Sequence, residues 1–133
     1  MDTVQGIGSL LGRVMLAMIF ALSGFMKLIH LGGTVAMMEK AGMQTMVGPL
    51  ALISGLIEFG GGLMLIAGFQ TRTVAFILFL FLIPVTIIFH IVPGGQFNQV
   101  NTVKNIAIMG GLLLTATRGG GGYSVDSIRK ASA

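Results

Sequence analysis

Residues 49–69, PLALISGLIEFGGGLMLIAGF, form an apolar run long enough to cross a bilayer, and this run contains a single charged residue. About 20 apolar residues in a helix span the roughly 30 Å hydrocarbon core of a membrane. The charged residue, Glu58, lies near the middle, roughly 16 Å from either end of the predicted helix. A lone carboxylate at that depth is costly, so Glu58 must be protonated, or paired with a cation and hydrogen-bonded. The stretch therefore predicts a membrane-spanning helix with a polar contact at its centre.

The composition of the whole chain also indicates a membrane protein. Hydrophobic residues make up 54% of the 133 residues and charged residues only 9%, whereas soluble domains contain roughly a quarter charged residues. The absence of cysteine excludes disulfides, thiolate metal sites and cysteine nucleophiles, so redox chemistry would require a bound cofactor or a partner subunit. The eight basic residues are scattered along the chain, and nucleic acid is therefore not an expected partner.

Four apolar segments predict a single all-α domain over residues 1–133, an integral membrane four-helix bundle. The first segment lacks the basic region of a secretory signal and is interpreted as a retained span. Thr34 is predicted to cap a short interfacial helix that ends at Gly42, and Pro84 predicts a kink in the third span. The predicted spans are 6–29, 47–69, 73–92 and 103–117, followed by a polar, glycine-rich tail over 118–133 that is expected to be a flexible surface extension.

The distribution of basic residues predicts the orientation in the membrane. An even number of spans places both termini on one side, and the positive-inside rule assigns the side with more Lys and Arg to the cytoplasm. The termini are therefore predicted to be cytoplasmic. The basic residues on the side of the termini are Arg13, Arg72, Arg118, Arg129 and Lys130, against Lys27, Lys40 and Lys104 on the other side.

Charged residues of the predicted helices share faces with small residues. At 3.6 residues per turn, Gly55, Glu58 and Gly62 lie on one stripe of the second span. Membrane helices approach each other along such stripes, so the charges are expected to point into the bundle. Arg13 is offset from Glu58 by roughly 8 Å along the membrane normal, a distance that a guanidinium stem can cross; a structural ion pair between these two residues is therefore predicted. Comparable stripes are Arg13, Ala17, Ala21, Gly24 and Lys27 in the first span, and Lys104, Ala107, Gly111, Thr115 and Arg118 in the fourth.

A second group of polar residues is predicted to meet at the outer level of the bundle, above Glu58. Lys27, His90 and Lys104 come from three different spans and all lie near the same end. Asn105, beside Lys104, adds an amide donor. The predicted ligand-binding residues are therefore Lys27, Glu58, His90, Lys104 and Asn105; no metal ligands are predicted and no catalytic residue is assigned.

Five motifs occur in an order that resembles the DoxX family of small four-helix bacterial membrane proteins. They are GRVMLAMIFALSGFMKL (12–28), GLIEFGGGLMLIAGFQTR (55–72), a histidine that closes the third span, KNIAIMGGLLL (104–114) and GGGYSVD (120–126), and together they cover nearly the whole chain. The positions that match the family pattern are Arg13, Lys27, Glu58, His90, Lys104 and Asn105. The resemblance implies an inner-membrane protein tied to redox metabolism. The relatives that gave the family its name are subunits of thiosulfate:quinone oxidoreductases, which makes a quinone the candidate cofactor, and other members associate with oxidative-stress or sulfur-handling proteins.

Each polar residue has a structural and a functional interpretation. Glu58 is either a partner in a structural ion pair or a proton acceptor beside a quinone. His90 either caps the third helix or lies in the headgroup zone, or else it exchanges protons or forms a hydrogen bond with a quinone carbonyl. Lys27 and Lys104 either extend to lipid phosphates or hold an anionic semiquinone, a sulfur oxyanion or a lipid headgroup.

Haem and copper sites are disfavoured by the sequence. His30 and His90 both lie near the outer boundary, but His30 follows the apolar run and no c-type attachment sequence is present. The thioethers of the methionines between residues 37 and 46 are ligands for Cu(I) in principle, but their positions favour contact with the membrane interface.

The leading hypothesis is a small subunit of a redox-linked, quinone-coupled complex of the bacterial inner membrane. Its polar cluster would bind a quinone or the headgroup of a lipid or another anion, and its partners would be the bilayer and either further redox subunits or copies of itself. The alternative is a structural scaffold or homo-oligomer without chemistry of its own. A transporter is less favoured because the sequence shows no inverted repeat with broken helices.

Overall fold

The computed structural model describes residues 3–91 and 99–132, and these residues form an α-helical membrane bundle of four long helices, as predicted. Two short helices lie at the ends of the bundle. In chain order the elements are α1 (Thr3–Ile29), α2 (Leu31–Lys40), α3 (Val47–Ala67), α4 (Thr71–Thr86), a π-helical segment (Ile87–Ile91), α5 (Gln99–Arg118) and α6 (Val125–Ser132).

The four long helices differ in how apolar they are. Within the described residues, three helices are long and apolar enough to cross a membrane, over Thr3–Ile29, Val47–Ala67 and Thr71–Phe89. The fourth long helix, α5, has 20 residues but begins with the polar sequence QVNTVKN. Its polar first turns line the interior of the bundle at Thr102 and Asn105, which are both buried. Polar residues in a membrane helix are tolerated on such an inward face.

The helices α1 and α3 are in backbone contact, because glycine occupies the crossing. A Cβ atom added at Gly24 of α1 would overlap the backbone of Phe59, and one added at Gly62 of α3 would overlap the backbone of Ala21. Close approach of this kind requires small residues at the interface. The predicted stripes on the first and second spans therefore meet face to face.

An apolar cluster fills the centre of the bundle, between α1, α3, α4 and α5. On the outside of the bundle, all four long helices expose large hydrophobic residues, as expected for helices that face lipid. The buried members of the cluster are Ala17, Phe20, Leu65, Val74, Ala75, Leu78, Leu82 and Leu112.

The short helix α2 begins earlier than predicted, and the predicted cap at Thr34 is wrong. The Thr34 N–H donates to the carbonyl of His30, and the His30 N–H donates to the carbonyl of Met26, so helical hydrogen bonding continues almost unbroken from α1 into α2. The Thr34 hydroxyl also donates to the His30 carbonyl, over 3.3 Å, and thus bonds backwards along the helix instead of capping it. The helix ends at Lys40, and Gly42 follows with a φ of +94°, a conformation that favours glycine after a helix.

Pro84 lies inside α4, and the π-helical segment begins three residues after it. Proline removes one N–H from the hydrogen-bond ladder, and membrane helices accommodate the loss by local widening of this kind. The Thr86 hydroxyl donates to the Leu82 carbonyl over 2.6 Å. The widened turn carries Phe89 towards α1 and α2, where it lines a cavity with Met38.

The C-terminal tail lies on the surface, as expected, but it is docked onto the bundle, so the expectation that it is flexible is wrong. Gly119 and Gly121 turn the chain with φ values of +86° and +82°. Gly120 is buried, and its carbonyl accepts a hydrogen bond from Arg13. The carboxylate of Asp126 accepts hydrogen bonds from the backbone N–H groups of Gln70 and Thr71, over 2.7 and 2.8 Å, and thereby caps the start of α4.

Candidate functional site

Glu58 is paired with Lys27, and the predicted ion pair with Arg13 is wrong. Lys27 Nζ lies 2.8 Å from Glu58 Oε1, and the Ser23 hydroxyl donates to Glu58 Oε2 over 3.0 Å. Ser23 and Lys27 are four residues apart on α1 and therefore lie on one face. Gly24, on the same face, brings α1 into contact with α3 beside Glu58. The Glu58 side chain is only 6% exposed, so its charge is neutralised and hydrogen-bonded inside the bundle.

Arg13 instead binds three backbone carbonyls at the end of the bundle that carries the termini. Its guanidinium donates to Tyr123 over 2.8 Å, to Ile66 over 3.4 Å, and to Gly120. Ile66 is in the last turn of α3, where carbonyls lack an intrahelical partner. The docked tail supplies the other two acceptors. The guanidinium therefore has acceptors close to its own level and does not extend towards Glu58.

A cavity of about 180 Å³ lies beside the Lys27–Glu58 pair. It is bounded by α1, α2, α3, α5 and the end of α4 with its π-helical segment. Its polar lining consists of Ser23, Lys27, Thr34, Glu58, Lys104 and Asn105. Its apolar lining consists of Ile19, Phe20, Met37, Met38, Leu82, Val85, Phe89 and Ile108.

The structure thus brings together four of the five predicted ligand-binding residues, namely Lys27, Glu58, Lys104 and Asn105, in the lining of one cavity. The fifth, His90, is part of the π-helical segment, next to the cavity residue Phe89. The side chain of His90 lies outside the described residues, and its membership of the site stays a prediction.

Asn105 is held in place by a hydrogen bond across the bundle. Its side-chain amide donates to the Thr86 hydroxyl over 3.1 Å, and that hydroxyl donates to the Leu82 carbonyl. Asn105 is 5% exposed. An amide has two N–H donors and a carbonyl acceptor, so Asn105 keeps hydrogen-bonding capacity for a molecule in the cavity.

Lys104 gives the cavity a net positive charge. Among the side chains that the structure describes, Lys27–Glu58 is the only ion pair, and it contributes no net charge. The Lys104 side chain adds an ammonium group to the same lining. The Lys27 ammonium also lies 5.9 Å from the centre of the Phe81 ring. This cation–π contact stabilises its positive charge. The cavity therefore suits a ligand with hydrogen-bond acceptors or a negative charge.

Three residues of the site were missed by sequence reasoning. Ser23 is the second partner of Glu58, Thr86 positions Asn105, and Thr34 lines the cavity from α2. The spacing of Ser23 and Lys27, four residues apart, was a usable signal, because both fall on the face of the first span that carries Gly24. Thr34 could not be placed without knowing that α2 folds over the cavity.

Comparisons with known proteins agree with the fold and the motifs. The DoxX family model matches residues 8–91. Inner membrane protein YqjF of Escherichia coli (strain K12) is 34% identical over 128 residues, which cover 96% of this chain and 96% of that relative. Inner membrane protein YphA of the same organism is 30% identical over 122 residues, covering 88% of this chain and 86% of that relative. No solved structure matches the chain significantly.

Proposed function

The chain belongs to the DoxX family, and we propose that it is a small subunit of a redox-linked complex of the bacterial inner membrane whose cavity binds the headgroup of a quinone. The similarity to two inner membrane proteins supports the location. The observation that supports the binding function is the lining of the cavity, where an ion pair, a further ammonium group and an amide meet between apolar walls.

The donor set of the cavity fits a quinone headgroup. A headgroup of this kind presents carbonyl oxygens, which accept hydrogen bonds, on an apolar ring. Lys104 and Asn105 lie on adjacent positions of α5 and offer N–H donors, while Phe20, Leu82 and Phe89 offer apolar contact. Drug-sized ligands occupy pockets of roughly 300–1,000 Å³, so a cavity of about 180 Å³ accommodates the headgroup alone and leaves an isoprenoid tail in the bilayer.

The Lys27–Glu58 pair provides a route for a proton. Glu58 Oε1 and Lys27 Nζ share one hydrogen bond of 2.8 Å inside the cavity lining. A bound quinone would supply two-electron redox chemistry coupled to protons. Glu58 would accept or return a proton at Oε1, and Lys104 would offset negative charge in the cavity.

The electrons would have to come from another subunit. The chain has no cysteine, and its described residues outside the four long helices are limited to short helices and turns. The described residues therefore include no domain separate from the bundle. The proposed role is therefore that of a membrane partner that presents the quinone to a redox enzyme.

Quantification of co-purified quinone tests the proposal. The protein is purified in mild detergent, lipids are extracted, and quinone per chain is measured by chromatography. We expect about one quinone per wild-type chain and a severalfold loss in Lys104→Gln, Glu58→Gln and His90→Ala. Lys40→Gln, which removes an exposed lysine at the end of α2 and outside the cavity lining, serves as the matched control and should retain quinone. Absence of quinone from the wild-type protein would contradict the proposal.

The alternative function is a structural scaffold, and the position of the Lys27–Glu58 pair favours it. The pair bridges α1 and α3 beside Gly24, where the two backbones touch. In this role the pair would fix how the two helices pack and the protein would assemble with copies of itself or with a partner. A constant partner polypeptide that co-purifies without quinone, together with wild-type behaviour of Lys104→Gln, would favour the scaffold.

A further inference from the structure

A second candidate site lies at the opposite end of the bundle, where a polar cavity and an apolar groove meet. Both are lined by Arg118 and Gly119. We propose that this junction binds one anionic phospholipid, with the phosphate in the polar cavity and an acyl chain in the groove. Among the residues that the structure describes, this site has none in common with the cavity beside Glu58, so the proposal is independent of quinone binding.

The groove lies between α1 and α5 and has a volume of about 500 Å³. A Cβ atom added at Gly8 or Gly12 would meet nothing within 4 Å, so this face of α1 is open. Leu16 packs against Gly111 of α5 and bounds the deep end. From Gly8 to Leu16 the helix rises about 12 Å, which matches one leaflet of a hydrocarbon core of roughly 30 Å.

The polar cavity has an excess of positive charge. It has a volume of about 560 Å³. The described residues of its lining include three basic side chains, Arg72, Arg118 and Lys130, and one carboxylate, that of Asp126. That carboxylate already accepts the two backbone hydrogen bonds that cap α4. Arg118 and Lys130 are both exposed. Basic residues at a membrane surface attract anionic lipids, and a phosphate fits this charge.

Arg13, which lines the groove, has a buried N–H donor that lacks an acceptor among the described residues. Arg13 is 4% exposed, and the donor is its Nε–H. An unpaired N–H at membrane depth is unfavourable. An oxygen of a lipid seated in the groove would supply the missing acceptor.

The combination of groove and charge indicates a lipid instead of a free anion. A small anion would be satisfied by the polar cavity alone and would leave the groove without an occupant. An amphiphile with a phosphate and an acyl chain uses both, and it joins them at Arg118 and Gly119, where the two linings meet. In this position the lipid contacts the end of α5, the start of α4 and the docked tail.

Native mass spectrometry of the full chain tests the proposal. The detergent-purified protein is titrated with dioleoyl phosphatidylglycerol, with dioleoyl phosphatidylcholine and with inorganic phosphate. We expect one phosphatidylglycerol to bind at least about tenfold more tightly than phosphatidylcholine. The double variant Arg118→Gln, Lys130→Gln should lower phosphatidylglycerol affinity by roughly 10- to 30-fold and leave phosphatidylcholine binding unchanged. Gly12→Leu, which fills the groove, should weaken both lipids.

Matched controls separate the site from general effects. Lys40→Gln removes an exposed lysine near the other end of the bundle, and Gly48→Leu adds bulk at a glycine with equally open surroundings; both should bind phosphatidylglycerol as the wild type does. Gly8→Leu replaces Gly12→Leu if the latter aggregates. Equal binding of the two lipids, or wild-type binding by the double variant, would overturn the proposal. Phosphate binding as tight as that of phosphatidylglycerol, with no effect of Gly12→Leu, would reassign the site to a free anion.

Discussion

At the scale of single residues, the partner of the buried carboxylate depends on helix rotation and depth together. The first span carries Arg13 and Lys27 on the same small-residue stripe, so the sequence alone offers both cations to Glu58. Contact between the backbones at Gly24 places Glu58 beside Ser23 and Lys27. The presence of a buried pair was predictable from the cost of a lone charge, but the identity of the cation was not, because it depends on which glycine lies at the crossing.

Removing the Lys27 side chain should destabilise the protein more than removing both charged partners. Lys27→Leu leaves an unpaired carboxylate inside the bundle, and we expect a loss of about 1 to 3 kcal/mol in unfolding free energy. The double variant Lys27→Leu, Glu58→Leu should recover part of that loss. Unfolding in mixed detergent micelles measures both values. Arg13→Leu with Glu58→Leu is the control and should show no recovery, since Arg13 binds backbone carbonyls; equal recovery in the two double variants would contradict the assigned pair.

At the scale of elements, the tail and α4 stabilise one another through Asp126. Its carboxylate accepts two N–H groups at the start of α4, and its own N–H donates to the Gly68 carbonyl over 3.0 Å. Burial raises the pKa of the Asp126 carboxyl, whereas the hydrogen bonds from Thr71 and Gln70 and the charge of Arg129 lower it. The lowering effects together are larger, so the pKa is below its usual value. The charged carboxylate is thus favoured in the folded protein.

The stability contributed by Asp126 should depend on pH at the acidic end. Because the folded pKa is lowered, the contribution is fully present above the unfolded pKa of about 4 and is lost as the pH falls through the folded value. We expect Asp126→Ala to cost about 0.5 to 2 kcal/mol at pH 7 and to show less loss of stability than the wild type between pH 5 and about pH 3. Thermal unfolding across this range measures both effects. Asp126→Asn keeps the shape of the side chain without its charge, and a wild-type pH profile in this variant would exclude the carboxylate as the titrating group.

At the scale of the whole molecule, the bundle was predictable and the docking of its C-terminal tail was not. The long helices could be predicted from apolar runs long enough to cross a bilayer, because backbone groups inside a membrane must form their hydrogen bonds within the helix. The cavity was predictable in part, because Lys27, Glu58, Lys104 and Asn105 were assigned to one cluster from their depth and periodicity. The docking of the tail could not be predicted from its composition. Glycines such as Gly119 and Gly121 are typical of flexible segments, but here they provide the positive φ angles of a fixed turn.

The orientation of the molecule in the membrane stays a prediction, with both termini in the cytoplasm. The chain has no cysteine, so each introduced cysteine reports one position. Ser132→Cys, near the end of α6, should be protected from a membrane-impermeant maleimide in intact spheroplasts, whereas Glu39→Cys, on α2, should react. Labelling of both variants after permeabilisation provides the control. The reverse pattern before permeabilisation would place the termini outside.

Two contacts of Arg13 join α1 to the tail that follows α5, so they cannot form until that tail has been synthesised. This residue enters the membrane with α1, but two of its three acceptors, Gly120 and Tyr123, are synthesised 107 and 110 residues later, after α5. A chain that stops after Arg118 would carry a guanidinium in the bilayer without those acceptors. We expect such a truncated chain to be cleared by membrane proteases and to accumulate several times less than the full chain in a pulse-chase experiment. Arg13→Leu should restore the level of the truncated chain, because the segment after α5 supplies two of the acceptors that the arginine needs. Unchanged clearance would show that the unpaired arginine is not the reason for degradation.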